Sequence, residues 1–140
     1  MKYTLLKEDA INVFDHILFR IKALIDFGDV KVGDLGGYIE STDNLSQDGS
    51  CWVYDKACVY DNATVTDSAK IYEYSQIHGH AQISDNATIY DNVIIKDFAR
   101  VGGSAKIGSS VVIGDHANIC GYTVLCHNEI ICHNTTICDR

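Results

Sequence analysis

The 140-residue chain contains no proline and no apolar run long enough to span a membrane. Because a transmembrane helix needs about 20 mostly apolar residues, a membrane protein is not expected. The N-terminal stretch MKYTLLKEDAINVFD carries acidic residues where a secretory signal peptide would be apolar. A cytoplasmic location, without membrane partners, is therefore expected.

Positive charge is also scarce, with 11 Lys and Arg against 19 Asp and Glu and a net charge of −8. Proteins that bind DNA or RNA do so through clustered Lys and Arg, and no basic stripe is present. Nucleic-acid polymers are therefore not expected as partners. The apolar fraction of 46% is too high for a disordered chain and predicts one folded domain with a core.

What the sequence does contain is an aliphatic residue at every sixth position from residue 53 to residue 137. These core positions are Val53, Val59, Val65, Ile71, Ile77, Ile83, Ile89, Ile95, Val101, Ile107, Ile113, Ile119, Leu125, Ile131 and Ile137. Four residues after most of them stands a small residue, usually alanine. Six residues advance an α-helix by roughly 600°, so this period does not keep to one helix face. Alternate residues of a strand do share a side, and each hexad is predicted to be a short strand followed by a corner.

The second residue after each core position supports a sharp corner. These corner positions are Asp55, Asp61, Asp67, Glu73, Gly79, Asp85, Asp91, Asp97, Gly103, Ser109, Asp115, Gly121, His127, His133 and Asp139. Aspartate and glycine tolerate the left-handed backbone that such corners need. Because most of the acids after residue 50 occupy this slot, the acidity is interpreted as turn chemistry rather than mimicry of a polyanion.

Residues 51–140 resemble the hexapeptide-repeat family, whose pattern is an aliphatic residue, a small residue, two free positions and then Ser, Thr, Ala or Val. The resemblance implies an all-β, left-handed parallel β-helix with 18 residues in each triangular turn. We expect about five to six turns in a helix over residues 32–140, with Val32, Ile39 and Leu45 in an irregular first turn. The last turn is expected to be uncapped and to require cover by a partner.

Residues 1–31 are predicted to form a small β cap at the N-terminal end. In HILFRIKALIDFG, apolar residues alternate, and one side is predicted to carry Ile17, Phe19, Ile21, Ala23, Ile25 and Phe27. The stretch YTLL at 3–6 is expected to join this cap. The stretches GDLGGYIES (33–41), NLS (44–46) and GSCWVYD (49–55) resemble phage- and prophage-encoded hexapeptide-repeat proteins, many of them loosely labelled transferases. That resemblance implies a phage or prophage origin.

Turns of 18 residues would stack residues 18 apart and so define three outward faces. The first face carries Trp52, Lys70, Thr88, Lys106 and Val124. The second face carries Cys58, Gln76, Ile94, Val112 and Ile130. The third face carries Thr64, Gln82, Arg100, Asn118 and Thr136. Contiguous exposed apolar residues usually mark an interface. Ile94, Val112 and Ile130 are therefore predicted to join subunits, in preference to harmless exposure or local cover. The favoured assembly is a homotrimer.

The two corners that flank the second face are predicted to be rich in aromatic and imidazole side chains. One carries Tyr54, Tyr72 and Tyr90, with Tyr74 beside them. The other carries Asn62, His80, Phe98, His116 and Asn134. Rings beside an apolar strip suit a subunit seam or a ligand groove. The alternative is that large side chains simply cover the corner backbone.

An acyltransferase is one function that the resemblance implies. Acyltransferases of this fold form trimers, use a histidine base, and grip the acyl-CoA donor with an inserted loop or a C-terminal helix. His80 or His116 could be such a base, but the hexads run from residue 53 to 139 without an inserted loop. A non-enzyme is therefore favoured, with no catalytic residue and no cofactor; acyl-CoA is expected only if the chain is an enzyme.

No metal site is expected. His80 and His116 resemble two zinc ligands of a carbonic anhydrase class with this fold, but Gly121 stands where the third would fall. The four C-terminal cysteines are expected at different corners of the triangular turn, and only Cys120 and Cys138 would lie at the same corner. Without a signal peptide, the six cysteines are expected to be reduced thiols.

Glu129 occupies a small-residue slot that faces inward in other turns. A buried unpaired carboxylate is costly, so Glu129 is expected to reach solvent through the open end. Contact with a partner or a role in a site are the alternatives.

The favoured function is that of a non-catalytic, oligomeric binding or scaffold protein. It would act on a host protein or hold a small ligand between subunits. The alternatives are an acyl- or acetyltransferase and a protein that sequesters a small nucleotide. In the nucleotide hypothesis, the tyrosine corner stacks on the base and Arg100 or Lys96 binds the phosphate.

Overall fold

A computed structural model describes residues 1–138 as a β-solenoid of about six turns that is almost entirely β-structure. It begins with β1 (Tyr3–Val13), β2 (His16–Ala23) and β3 (Leu35–Ile39), followed by a short 3-10 helix (Thr42–Asn44). Fifteen two-residue strands complete the described part of the chain. They are β4 (Trp52–Val53), β5 (Cys58–Val59), β6 (Thr64–Val65), β7 (Lys70–Ile71), β8 (Gln76–Ile77), β9 (Gln82–Ile83), β10 (Thr88–Ile89), β11 (Ile94–Ile95), β12 (Arg100–Val101), β13 (Lys106–Ile107), β14 (Val112–Ile113), β15 (Asn118–Ile119), β16 (Val124–Leu125), β17 (Ile130–Ile131) and β18 (Thr136–Ile137).

The predicted turn of 18 residues is confirmed by the strand register. In each parallel pair of these short strands, a residue lies beside the one 18 positions later, as with Ile89 and Ile107. The first face is formed by β4, β7, β10, β13 and β16, and the third by β6, β9, β12, β15 and β18. The second face, β5, β8, β11, β14 and β17, continues through β3 into the β1–β2 hairpin. The described part of the chain contains no helix with the length and apolarity to cross a membrane.

The core consists of the predicted aliphatic column and the small residues that precede each strand. Core positions from Val53 to Leu125 are buried, Ile131 is nearly so, and Ile137 is partly exposed. Each fully buried aliphatic side chain contributes about 1.5–3 kcal/mol. The column is thus the main apolar stabilisation of the solenoid.

The corner carboxylates do more than tolerate a left-handed backbone. Asp85 has a φ of 56°, and other acids at corner positions have similar values. The Asp85 carboxylate also accepts the backbone N–H of Gly103, one turn later, at 2.8 Å. The same bond recurs from Asp97 to Asp115 and from Asp115 to His133. The corner acids therefore tie successive turns together. Asp139, the last expected corner residue, lies outside the described residues.

The N-terminal hairpin is packed differently from the predicted one-sided alternation. Ile21 and Ala23 are buried, but Ile17 and Ile25 are exposed and Leu18 is fully buried. The β1–β2 pairing also has a register shift between Leu6 and Ala10. Residues on both sides of β2 are buried, rather than on one side as predicted.

One side of the hairpin closes the end of the core, while the other covers the start of the second face. Tyr3 and Phe27 pack edge-on against Trp52, so this first-face residue is buried rather than outward. Leu18 forms a separate buried cluster with Tyr38, Cys58 and Tyr60. The cap thus covers Cys58, at the start of the second face.

The irregular first turn contains Ile39 and Leu45, both buried, but the placement of Val32 was wrong. Val32 is 62% exposed, because the turn after Ala23 buries Val30 instead. Val30 pairs with Phe27 through two backbone hydrogen bonds. Gly36, within GDLGGYIES, lies so close to the Val53 carbonyl that a Cβ would overlap it.

Candidate functional site

Three rings form a continuous stack along the corner between the second and third faces. The centroids of His80 and Phe98 are 4.8 Å apart, those of Phe98 and His116 are 4.9 Å apart, and the rings are nearly parallel. This spacing equals the distance between neighbouring strands, because each ring comes from the same position of a successive turn. We call His80, Phe98 and His116 the ring stack.

The ring stack forms one wall of a groove of about 610 Å³. The groove is lined by His80, Gln82, Phe98, Arg100, His116, Ala117, Asn118, Asn134 and Thr136. Its other wall is the outward side of the third face, where Gln82, Arg100 and Asn118 lie in register on three adjacent strands. We call this the ligand groove.

Both polar and apolar groups in the ligand groove face solvent. Phe98 is 51% exposed although it stands at the middle of the stack. Arg100 is exposed as well, and within residues 1–138 its guanidinium has no ion pair or side-chain hydrogen bond. A free guanidinium beside ring edges and amides is suited to bind an anionic group.

The two groove histidines are not arranged as a catalytic pair. Among the described residues, neither imidazole has a side-chain hydrogen bond or carboxylate partner that would orient it as a base. The acids nearest in sequence accept backbone N–H groups of the next turn, Asp115 that of His133 and Asp85 that of Gly103. Phe98 lies between the two imidazoles, so His80 and His116 do not reach a common metal ion.

The apolar strip of Ile94, Val112 and Ile130 lies in register on β11, β14 and β17. Ile130 is 75% exposed, whereas Ile94 and Val112 are half-buried. Gln76 separates the strip from Cys58, which the cap covers, and the strip lies next to the ligand groove. An adjoining copy on this strip would therefore also border the groove.

The tyrosine corner lies on the opposite side of the second face. Tyr54 and Tyr72 stack with centroids 4.3 Å apart, and the Tyr54 hydroxyl donates to Asp29 at 2.7 Å. Burial and this hydrogen bond raise the pKa of Tyr54. The Tyr90 ring lies against Gly108, which has no side chain to obstruct it. Because Arg100 lines the ligand groove, the tyrosine stack and Arg100 do not meet within one chain.

A histidine–carboxylate cluster joins the cap to the first regular turn, and sequence reasoning missed it. His16 Nδ1 lies 2.9 Å from Glu40 Oε2, and its Nε2 lies 3.0 Å from Asp61 Oδ1. Glu40 Oε1 also accepts the Asp61 backbone N–H at 2.8 Å. Tyr60 packs on His16 and stacks on His78. The ligating atoms lie close enough to hold a metal ion, but His16 directs a different nitrogen at each carboxylate, as a doubly protonated imidazolium does.

The hydrogen bond to Glu40, aided by the charges of Asp61 and Asp15, raises the pKa of His16 above its usual 6.5. Burial lowers the pKa of the neighbouring His78, against the opposing charge of Asp61. No spacing rule in the sequence links position 16 to positions 40 and 61. Only the fold of the hairpin brings them together.

A second cluster brings together Asp115, Cys132 and His133 on two successive turns. One ligating atom from each residue lies within 4.8 Å of the others. His133 Nδ1 is 3.8 Å from Asp115 Oδ2. The sequence gives little sign of this cluster, because Asp115 is separated from Cys132 and His133 by a full turn of the solenoid.

The cysteines depart from the expectation of six reduced thiols. Cys120 and Cys138, one turn apart on the same corner, are joined by a disulfide with Cα atoms 4.3 Å apart. Within residues 1–138, the unpaired cysteines are Cys51 and Cys58, both buried, and Cys126 and Cys132. A pair at 18-residue spacing is brought together by the turn itself, which is why these two meet.

Glu129 is half-buried rather than fully enclosed. The corner before it is irregular, since the Glu129 N–H donates to the carbonyl of His127 at 2.8 Å. The partial exposure agrees with the expectation that this carboxylate reaches solvent.

Comparison with known proteins supports the repeat architecture. Residues 57–73 and 81–97 match a family described as the YdcK beta solenoid repeat. A stretch of 40 residues is 45% identical to a protein named uncharacterized acetyltransferase YdcK, from Escherichia coli (strain K12). The match covers 29% of this chain and 12% of that relative, so the chain spans about an eighth of the relative's length. Both similarities fit a hexapeptide-repeat β-helix.

Proposed function

We propose that this hexapeptide-repeat β-helix is an oligomeric, non-catalytic binding protein that holds a small anionic ligand in the ligand groove. The observation that carries the proposal is the exposed ring stack beside the unpaired guanidinium of Arg100. A binding role explains why a phenylalanine is half exposed at the centre of this wall. A purely structural corner would have no need of it.

The composition of the groove indicates the class of ligand. Arg100 supplies a fixed positive charge, and Gln82 and Asn118 supply neutral hydrogen-bonding groups in register on either side. The ring edges and Phe98 supply apolar contact. A small molecule with one anionic group and several polar groups matches this surface, and nucleotides are within that class.

Assembly of several copies would complete the site. The apolar strip lies beside the ligand groove and has an exposed isoleucine at position 130. A neighbouring copy packed on the strip would add a further wall to a groove that one chain leaves open to solvent. A trimer is the assembly we favour, while the phage origin and a host-protein partner stay predictions.

Native mass spectrometry of the purified full-length chain tests the assembly and the ligand together. We expect an oligomer, and loss of that oligomer with Ile130→Asp. Val124→Asp is the matched control, because Val124 is also exposed but lies on the first face. A monomer at all concentrations would contradict the assembly.

Ligand binding is tested with a panel of small anions, including inorganic phosphate and nucleoside phosphates. Arg100→Gln should weaken binding at least tenfold, since a charge-assisted hydrogen bond is worth about 1.5–3 kcal/mol. Phe98→Ala should also weaken binding at least tenfold, because it removes the apolar contact in the groove. Lys106→Gln removes an exposed positive charge from the first face and should have no effect. Equal loss with all three variants would show that binding is nonspecific.

An acetyltransferase is the second candidate, and two observations favour it. The E. coli relative is named an acetyltransferase, and His80 and His116 both line the ligand groove. In this reading one histidine would accept a proton from the acceptor substrate. Stabilisation of the chain by acetyl-CoA in a thermal-shift assay, lost with His116→Ala or His80→Ala, would favour the enzyme over the binding protein.

A further inference from the structure

We propose that Asp115, Cys132 and His133 form a binding site for a zinc-class divalent cation. The three side chains offer a carboxylate oxygen, a sulfur and an imidazole nitrogen, with the ligating atoms within 4.8 Å of one another. Oxygen, nitrogen and sulfur ligands of these types are those that Zn²⁺ binds in proteins. Harder cations such as Mg²⁺ and Ca²⁺ prefer oxygen ligands alone, so a site with a thiolate selects against them.

A backbone hydrogen bond already orients one of the ligands. Asp115 Oδ2 accepts the His133 backbone N–H at 2.8 Å, which holds the carboxylate against the next turn. An ionised carboxylate that accepts one hydrogen bond retains lone pairs for a cation. Cys132 directly precedes His133 in the chain, so the thiol comes from the same corner as the imidazole.

The approach needed to bind a cation is small. In a tetrahedral zinc site with bonds of about 2.0–2.3 Å, ligand atoms are separated by about 3.5 Å. His133 Nδ1 and Asp115 Oδ2 are already 3.8 Å apart. Asp115 and His133 are both exposed, so the approach of the His133 imidazole to the Asp115 carboxylate displaces no core residue.

His133 also departs from the rule of the corners. It has a φ of 60°, at a position where most other turns have an acid or a glycine. Histidine tolerates this left-handed backbone as aspartate does, so the corner keeps its geometry while it presents an imidazole to the cluster.

Three protein ligands leave one of the four tetrahedral positions to water, as in catalytic rather than structural zinc sites. Asp115 and His133 directly precede His116 and Asn134, two residues of the ligand groove. The proposed site therefore adjoins that groove. Binding converts the Cys132 thiol to a thiolate and releases its proton to solvent, with no change of oxidation state.

Titration of the metal-free, full-length chain with Co²⁺ tests the site, because a cobalt–thiolate bond gives a charge-transfer absorption band. We expect one Co²⁺ per chain with such a band, and displacement of Co²⁺ by Zn²⁺. The titration is made first without reductant, to keep the Cys120–Cys138 disulfide intact. It is repeated with a phosphine reductant in the Cys120→Ser/Cys138→Ser variant, where no additional thiols are released.

Cys132→Ser should abolish the band, whereas Cys126→Ser should leave it unchanged because Cys126 is the exposed free thiol outside the cluster. Asp115→Asn and His133→Asn should each weaken Co²⁺ binding on the order of tenfold or more. Circular dichroism and the metal-free melting temperature establish that each variant is folded. The proposal is overturned if Co²⁺ produces no thiolate band in the folded wild-type chain, or if the band persists in Cys132→Ser.

Discussion

His16 in the N-terminal hairpin and Glu40 at the end of β3 are joined by a 2.9 Å contact from Nδ1 to Oε2. The other ring nitrogen of His16 lies 3.0 Å from Asp61 Oδ1, at the second regular corner of the solenoid. An imidazole donates from both nitrogens only when it is protonated. The cap is therefore held to the solenoid by a charged clamp.

This clamp should make stability depend on pH. The pKa of His16 is raised in the folded state above 6.5. The contribution of protonated His16 to the free energy of unfolding is therefore fully present below the unfolded-state pKa of this histidine. It is lost as the pH rises through the folded-state pKa of His16. Comparison of urea unfolding for wild type and His16→Gln should show a stability difference that is largest below pH 6.5 and shrinks at higher pH.

His78 provides the control for this pH dependence, because it also contacts Asp61, at 3.8 Å. Burial lowers its pKa, so its effect has the opposite sign: stability falls as the pH drops through the unfolded-state value. In the His78→Gln variant, stability should still fall as the pH rises through the folded-state pKa of His16. In the His16→Gln variant, this fall should be absent. A difference between wild type and His16→Gln that does not vary with pH would contradict the charged clamp.

The regular part of the fold is predictable because its signal is local and repeated. An aliphatic residue recurs at every sixth position from Val53 to Leu125, and each one is buried because it faces the interior of the solenoid. The ring stack follows from the same repeat, because His80, Phe98 and His116 are each separated from the next by 18 residues, which is one turn. Sequence reasoning did not foresee that the acids at corners such as Asp85 also bind the next turn.

The irregular part is not predictable from periodicity, because its contacts join residues that are far apart in the chain. The buried Lys2 amine donates to the Cys51 carbonyl at 2.8 Å, and nothing near position 2 indicates that partner. The burial of Leu18 likewise depends on the distant Cys58 and Tyr60, and the exposure of Val32 depends on the turn after β2. The His16 cluster was missed for this reason.

Asp85 tests whether the corner carboxylates tie turns together. Asp85→Ala loses the bond to Gly103 and places an ordinary residue at a φ of 56°. We expect a loss of about 2 kcal/mol in the free energy of unfolding, from the hydrogen bond and the left-handed backbone. Asp85→Asn keeps both an acceptor oxygen and a residue that tolerates this backbone, and should cost about 0.5 kcal/mol.

Asp85→Gly separates the two causes, because glycine adopts a positive φ freely but has no acceptor. Its urea midpoint should fall between those of the asparagine and alanine variants. If all three variants unfold together with wild type, the bond to the next turn has no energetic role.

Asn44, in the NLS stretch, should be among the most sensitive polar positions in the chain. It is only 1% exposed, its amide donates to the Ala63 carbonyl at 2.8 Å, and its oxygen accepts the N–H groups of Glu40 and Ser41. Asn44→Ala removes these partners from the Ala63 carbonyl and the Ser41 N–H, while the Glu40 N–H keeps its bond to the Val59 carbonyl. Since each group left without a partner costs about 1–3 kcal/mol, we expect a total loss of about 3 kcal/mol in urea unfolding.

Asn86→Ala is the matched control for Asn44, because Asn86 is exposed at a regular corner. Its effect should lie within about 0.5 kcal/mol of wild type. Asn44→Asp keeps the acceptor but loses the donor to Ala63, and should also destabilise. Tolerance of Asn44→Asp would mean that the donated bond contributes little.

The Cys120–Cys138 disulfide should stabilise the C-terminal turns. It closes a loop with a sequence separation of 18 residues, and chain entropy assigns about 3 kcal/mol to a loop of this size. Thiol titration of non-reduced, denatured protein should detect four thiols rather than six, because Cys51, Cys58, Cys126 and Cys132 are unpaired. Reductant should lower the urea midpoint of wild type and of Cys126→Ser, but not that of Cys138→Ser. Six reactive thiols in freshly purified protein, with no response to reductant, would show that the chain keeps its cysteines reduced.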